Sequence, residues 1–479
     1  MEINGLVERM SDNLVACAVA VVVGVGVVAL FALSRAEHVK RMPPLVSRGW
    51  PLIGHTLHFI ATHSVFELHP FIKHGIRRYG KVFQASLFGK RTIVSADTEL
   101  TKLIIQGEGK TFRSAWPDSL IRILGQESLI VTSGEEHRHS RALLVAYMGS
   151  NRSKLSSFLP HIEAATLEIM SNWKSGSIIS FKDEAKHFTF SVLCKIMISL
   201  GKKEVAQTHT LFETYDDSIL SIPLNFPGTR YNKGLKARSK LVAIIQEIIN
   251  KRRNQTKCDH ENKDLLDYLL SNAQEYSDTK LQDFILTALF AGHSTSAIVL
   301  ACIVKLLHDT PKALQEIMEE HEKIQKTKTQ GEDLDMNDYM KMSFTQNVIN
   351  ETLRLVNLSL GLFKVALEDV ELKGHFIPKG CIVFVSQIAV HFDSDVYPNP
   401  ERFDPSRWKN IKSSPFVPFG GGIRLCPGAE LARLEISIFL HYFLTHYRWT
   451  IEVENIQMLH TPFPTITKNL PIRVVRRKL

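Results

Sequence analysis

The longest unbroken apolar run is LVACAVAVVVGVGVVALFAL, Leu14 to Leu33, with no charged residue inside it. As a helix it spans roughly 30 Å, the thickness of a bilayer's hydrocarbon core. A cleaved leader carries a shorter apolar stretch behind positive charge. Here Glu2, Glu8 and Asp12 precede the run, opposed by Arg9, whereas Arg35, Lys40 and Arg41 follow it. That asymmetry places the C-terminal side in the cytosol. The pattern predicts an uncleaved N-terminal membrane anchor over residues 1–34. The Asn-x-Ser/Thr triplets at Asn151, Asn254 and Asn357 are then expected to stay unmodified.

The periodicity changes at RMPPLVSRGWPLIG, Arg41 to Gly54, whose prolines cannot continue a helix. Residues 35–54 are predicted to form a stiff, extended hinge, leaving 55–479 as the globular body. KVFQASLF and RTIVSA alternate as strands around a Gly89–Lys90 turn. From there to about Leu360 the period is helical. Strand patterns return in DVELKGHFIPKGCIVFVS and in PTITKNLPIRVVRR. The fold class is therefore mainly α with small separate β-sheets. No strand–helix alternation and no Gly-x-Gly-x-x-Gly after a strand occur, which argues against a dinucleotide-binding fold.

Composition narrows the chemistry. A chain of 479 residues with 44 % hydrophobic side chains can bury a very large core. The net charge of +9 fits an anionic membrane or an acidic protein partner. KRRNQTK, Lys251 to Lys257, is too short a basic tract for a nucleic-acid footprint, so no nucleic acid is expected. The six cysteines, at 17, 194, 258, 302, 381 and 426, are too scattered for a zinc cluster or a disulfide framework. Cys426 stands apart in the glycine-rich FGGGIRLCPG, Phe419 to Gly428. A nucleophilic thiol with a histidine base is one reading, and an axial thiolate to a heme iron, which needs one cysteine and a shaped loop, is another.

Three further segments ask for partners. ETLR, Glu351 to Arg354, puts a carboxylate and a guanidinium on one face of an apolar helix. NPERFDPSRW, Asn399 to Trp408, offers Arg402 and Arg407 to that carboxylate. FAGHSTS, Phe290 to Ser296, interrupts the apolar stretch Asp283 to Leu307 with helix-weakening residues. Its hydroxyls are expected to loosen the helix ladder locally and face a ligand.

Taken together, the chain resembles the cytochrome P450 family, in the form of its microsomal plant members acting on steroids and terpenoids. FGGGIRLCPG matches the family's Phe-x-x-Gly-x-Arg-x-Cys-x-Gly at Phe419, Gly422, Arg424, Cys426 and Gly428; ETLR matches Glu-x-x-Arg; AGHST is similar to the oxygen-activating helix. The resemblance implies the cytochrome P450 fold behind an N-terminal transmembrane helix, with heme b held by the Cys426 thiolate. It implies that Phe419 covers the thiolate side, that Gly422 and Gly428 shape the loop, and that Arg424, His137 and Arg141 meet the heme carboxylates. Glu351, Arg354 and Arg407 become a structural lock, with Arg407 preferred to Arg402 because FDPSRW matches the plant spelling. Thr295 and Ser294 are implied in proton delivery. Serine replaces the acid that members usually carry before the threonine, which leaves open an altered proton route or an isomerase-like outcome.

The implied activity is monooxygenation of a lipophilic sterol- or brassinosteroid-precursor-like substrate. It would use O2 and electrons from NADPH through NADPH–cytochrome P450 reductase. The implied location is the endoplasmic reticulum membrane, single-pass, with the catalytic domain in the cytosol. Triterpenoid, gibberellin, abscisic acid and strigolactone precursors remain alternatives, as does a non-catalytic heme protein. The implied pocket residues are Trp116, Ile121, Leu124, Leu220, Leu289, Phe290, Ala291, Leu358, Leu362 and Phe463. PLNFPGTRYNKGLKAR favours the steroid group, whereas Phe363-Lys364-Val365 departs from its usual Arg-Lys-Ala.

Overall fold

The computed structural model describes residues 42–477, apart from 46–48, 51–52, 150–151, 220, 255–263, 330, 410–414 and 462. The expected anchor, 1–34, lies outside the described residues, as does part of the hinge. The helices that build the site are α1 (Gly134–Met148), α2 (Arg152–Ser171), α3 (Phe181–Ile198) and α4 (Lys202–Asp216). They continue with α5 (Arg230–Arg253), α6 (Asp278–Asp309), α7 (Ser343–Val356) and α8 (Ala429–His446).

Helix α6 organises the others. Ser277 caps it by accepting from the Lys280 amide at 3.1 Å. Its residues are apolar around nearly the whole circumference, so it has no stable place except inside. Among the described residues it alone is long and apolar enough to cross a membrane. Protein covers it instead: α3, α5, α7 and α8 all pack against it. A Cβ on Gly292 would stand 3.0 Å from both methyls of Leu193, so glycine sets how closely α3 approaches. The FAGHSTS segment was expected to loosen this helix, but α6 is continuous from 278 to 309. The Thr295 hydroxyl donates to the Ala291 carbonyl at 2.8 Å without breaking the ladder, because packing on several sides outweighs the local propensity cost.

The largest sheet holds β1 (Val82–Leu87), β2 (Lys90–Ser95), β3 (Phe112–Ser114), β4 (Leu362–Ala366) and β5 (Ile382–Val385). Its order is β1-β2-β5-β4-β3; β2 and β5 run parallel and the other neighbours antiparallel. Leu87 pairs with Lys90, so the hairpin turn is Phe88–Gly89, one residue earlier than the alternation suggested. Both residues have positive φ, 52° and 72°, as the two-residue turn that matches strand twist requires. The described part of the hinge lies along β1, where the Gln84 amide donates to the Pro44 carbonyl at 2.8 Å. Smaller sheets join 63–64 with 458–460 and 464–466, join 178–180 with 447–451 and 471–476, and pair 370–372 with 375–377.

Behind α6, a fully buried ion pair fixes the C-terminal third. Glu351 and Arg354 on α7 have no exposed side-chain surface. The Glu351 carboxylate accepts from Arg354 Nε at 3.0 Å and Nη2 at 2.9 Å, and from Arg407 Nε at 2.8 Å. Trp408 Nε1 and the Asp404 amide donate to it as well, each at 3.0 Å. Arg402 is exposed and contributes only its carbonyl, which Arg354 and Arg407 both reach at 3.3 Å.

Arg407→Ala should therefore strand a buried carboxylate and cost about 3–5 kcal/mol in urea unfolding, whereas Arg402→Ala should stay within about 0.5 kcal/mol. Equal effects of the two changes would contradict this assignment.

Candidate functional site

The cysteine loop is drawn tight by its own backbone. The Cys426 amide donates to the Phe419 carbonyl at 3.0 Å, closing a turn that passes through Gly420 and Gly422 at φ 74° and 61°. A side chain is doubly excluded at Gly422, since a Cβ would also stand 2.9 Å from the Ile105 carbonyl. Arg141, from α1, holds the far side by donating to the Leu425 carbonyl through Nη2 at 2.8 Å. Burial pushes the Cys426 thiol up, while the Gly428 amide and the Arg141 charge pull it back. A metal ion that takes the sulfur removes its proton outright.

Cys426 opens into a cavity of about 460 Å³ between α6, α8, α1 and the loop. Its α6 wall is Phe284, Thr287, Ala288, Ala291, Gly292, Thr295, Ser296 and Val299, a repeat of three and four residues that makes one helix face. Cations gather in the lining as well, with Arg141, Lys364 and Arg424 all reaching it. Arg424 donates from Nε to Glu108 at 2.7 Å, from Nη1 to the Ile130 carbonyl at 3.0 Å and from Nη2 to the Thr132 carbonyl at 2.6 Å. A guanidinium has five N–H groups, so two remain for a ligand. Glu108 also takes Lys364 Nζ at 2.8 Å. Burial alone would raise the Glu108 carboxyl, but Lys364 and Arg424 hold it below its usual range. His137 is buried with Nδ1 unpartnered. Burial, then the charges of Arg424 and Arg141, lowers its imidazole to about 4.

These residues fit an iron porphyrin. A single thiol faces the space, an orphaned imidazole nitrogen and spare guanidinium N–H groups suit carboxylates at one edge, and Leu144, Leu353 and Ile436 supply apolar walls. The ring of Phe419 carries the Arg433 guanidinium at 5.2 Å.

The structure brings Cys426, Arg424, Phe419, Gly428, His137, Arg141 and Thr295 to this cavity, together with Trp116, Ala291, Leu358 and Leu362. Arg141 donates to the Leu425 carbonyl through Nε at 3.3 Å and Nη2 at 2.8 Å, which leaves three of its five N–H groups. Gly422 shapes the loop from outside the cavity. Leu289 and Phe290 fall off the cavity-facing stripe of α6; Leu289 is buried in the core, and Phe290 packs edge-on to Tyr215. Leu124 is buried in the core, Ile121 lines a separate solvent-open groove and Phe463 is exposed. Leu220 lies outside the described residues. Ser294, one residue round the helix from Thr295, turns away from the cavity.

Sequence reasoning missed Glu108, Lys364 and Glu435. Glu435 interrupts the apolar run LARLEISIFLHYF, and a lone carboxylate in such a run was the available signal. It lines the cavity, its Oε2 has no partner, and burial pushes it up to about 8 despite the Ser296 hydroxyl.

A family model described as Cytochrome P450 matches residues 43–474. The chain is 40 % identical over 458 residues to the steroid (22S)-hydroxylase of Brachypodium distachyon, covering 92 % of this chain and 90 % of that protein. It is 37 % identical over 457 residues to a cholesterol 22-monohydroxylase of Paris polyphylla, covering 93 % and 95 %. It is 38 % identical over 452 residues to the 3-epi-6-deoxocathasterone 23-monooxygenase of Arabidopsis thaliana, covering 91 % and 85 %. Among solved structures, retinoic acid bound cyanobacterial CYP120A1 superposes with a TM-score of 0.80 at 29 % identity, covering 91 % of this chain and 99 % of that one.

Because the folded state holds the Glu435 proton more tightly than the unfolded chain, stability should fall as pH rises from about 4.5 to about 8. The total loss is on the order of 5 kcal/mol by linkage. Glu435→Gln should remove that slope. Urea unfolding of both proteins at pH 5 and pH 8 checks it, and parallel pH profiles would contradict a buried neutral carboxyl.

Proposed function

The chain belongs to the cytochrome P450 family and is a heme-thiolate monooxygenase; on that premise we propose that it hydroxylates the aliphatic tail of a sterol-like substrate. The observation that carries this reading is the predominantly apolar lining of the cavity that holds Cys426, where Trp116, Ala288, Ala291, Val299, Leu358 and Leu362 offer a lipophilic skeleton its contacts and only a few hydroxyls interrupt them. The relatives' names support it, two specifying position 22 and one position 23 of a steroid-type molecule.

Bound at Cys426, heme supplies an iron that activates dioxygen with two electrons and inserts one oxygen atom into a C–H bond. The protein does the rest. Cys426 would give the iron its thiolate ligand, and the Gly428 amide would temper the sulfur's charge. Arg424 and His137 would hold the porphyrin carboxylates, with Lys364 neutralising Glu108 so that Arg424 keeps its positive charge for them. Phe419 closes the sulfur side against water. Thr295 offers a hydroxyl oxygen whose proton is parked on the Ala291 carbonyl, so it can accept or pass a hydrogen bond in the cavity. The Glu351, Arg354 and Arg407 lock keeps the loop in place and moves no proton.

The body, 55–479, sits at the endoplasmic reticulum membrane on its cytosolic side in this reading. Residues 1–34 form the single-pass anchor and 35–54 the hinge. Exposed Trp50, Ile222, Leu224 and Phe226, at 66, 75, 50 and 67 %, offer a second apolar contact with the bilayer. Electrons come from NADPH–cytochrome P450 reductase.

Incubating the full chain with that reductase, NADPH and cholesterol-type sterols should yield a product one oxygen heavier, with oxygen on the side chain. The same sterols should shift the Soret band. Cys426→His should lose the thiolate-type band of the reduced carbon monoxide complex and the product together. Turnover of a gibberellin or carotenoid-derived acid with no sterol response would overturn the substrate assignment.

A further inference from the structure

Ser294 precedes Thr295 on α6, yet the two side chains face different surroundings. Thr295 lines the cavity. Ser294 donates its hydroxyl to the Oδ2 of Asp216, the last residue of α4. His293 Nδ1 lies 3.2 Å from the same hydroxyl and 3.8 Å from the same carboxylate oxygen. Asp216 is 8 % and His293 0 % exposed, so this contact is inside the protein.

The cluster continues outward. His209 on α4 packs against the His293 ring at 6.0 Å, and both leave a buried Nε2 without a partner. His209 Nδ1 stands 3.9 Å from Glu213, whose carboxylate also lies 3.6 Å from Lys186 on α3. Glu213 is one-third exposed. A file of titratable groups therefore leads from solvent to the turn of α6 that carries Thr295. Lys186 from α3 and His293 and Ser294 from α6 act on Asp216, and His187 of α3 stands 5.2 Å from the His209 ring. Arg238 of α5 and Asp283 of α6 are paired with each other beyond Tyr215.

We propose that Asp216 supplies from α4 the carboxylate that Ser294 does not carry on α6, and that the two form a split proton-entry station serving Thr295. The proposal rests on the monooxygenase reading and deepens it. Each turnover sends two protons into the oxygen atom that leaves as water. Asp216 receives a proton from the His293 and His209 side, and its carboxylate is regenerated when that proton passes through the Ser294 hydroxyl toward Thr295. Solvent reloads the file, so no further reagent is consumed. Burial alone would raise the Asp216 carboxyl, but the nearby His293 ring, the Ser294 hydrogen bond and the Lys186 charge hold it below its usual range. An ionised resting carboxylate is ready to accept. The arrangement also explains how a helix lacking its own acid can remain competent.

Four full-length, heme-loaded enzymes test this: wild type, Asp216→Asn, Asp216→Asn with Ser294→Glu, and Asp217→Asn as control. Asparagine keeps the hydrogen bond to Ser294 and removes only proton transfer. Asp216→Asn should lower product per NADPH at least ~tenfold, raise hydrogen peroxide and enlarge the solvent isotope effect. The double variant should recover most of the loss by placing a carboxylate on α6. Asp217→Asn should match wild type. Isotope-edited infrared spectra of aspartate-labelled enzyme should show at pH 7 an ionised carboxylate band that Asp216→Asn deletes and Ser294→Ala shifts.

Wild-type coupling and isotope effect in Asp216→Asn would overturn the proposal. So would a loss that Ser294→Glu fails to rescue while the melting temperature drops, because that pattern is a helix clamp. If wild type turns over no sterol, the substrate reading fails alone. The comparison is then read, without substrate, from the division of consumed oxygen between water and peroxide.

Discussion

A carboxylate with no access to water must be surrounded by donors, and Glu351 shows how much structure that requirement can organise. Its oxygens gather Arg354 from the same helix and Arg407, Trp408 and the Asp404 amide from a segment some fifty residues later. Those donors then reach outward. Arg354 Nη1 donates to the His391 carbonyl at 3.0 Å. The His391 ring bonds Asn357 Oδ1 through Nδ1 at 2.6 Å and accepts the Val417 amide on Nε2 at 3.1 Å. Burial, with the Arg354 charge behind it, lowers that imidazole to about 3. It is therefore neutral, and the proton sits on Nδ1, the arrangement that satisfies both contacts. Trp408 meanwhile packs on Phe416 at 4.5 Å. Both routes end at the entrance to the cysteine loop. A buried charge on α7 thus fixes where a sulfur atom points.

The same economy governs the cavity's polar rim. Glu108 is buried and needs cations, so Lys364 from the central sheet and Arg424 from the cysteine loop converge on it. Together they carry one positive charge more than Glu108 balances, and both line the cavity. The reactive wall is mostly apolar by comparison, with Thr287, Thr295 and Ser296 of α6 and the unpaired oxygen of Glu435 as its polar groups. Apolar surroundings make each of these few groups count, since every bond they make is strong and every bond they lack is costly.

The residues legible in advance were those whose chemistry is local. The glycine-rich loop around Cys426, the Glu351–Arg354 spacing and the strand pair at 82–95 each carry their signal within ten or so residues. Partners chosen by tertiary folding carry none. Nothing adjacent to Asp216 points to Ser294, and nothing near Glu108 points to Lys364, because those pairs are made by helices and strands that meet only when folded. The pocket was read unevenly for the same reason. Ala291, Leu358 and Leu362 face Cys426, but Leu289 and Phe290 fail by helical phase, which a nominal list of apolar neighbours does not respect. Short strands such as β3 and β4 are built by pairing rather than by propensity, and the helix-weakening residues of α6 stay helical because burial outweighs them.

The central claim is that the buried Glu351 charge holds the cysteine loop, and amide hydrogen exchange reads it directly. In Glu351→Gln, the Val417 and Cys426 amides, bonded to His391 and to the Phe419 carbonyl, should lose protection together with α7. The β1–β2 hairpin should keep its protection. Exchange that accelerates in 343–356 alone, with the loop amides unchanged, would contradict the account.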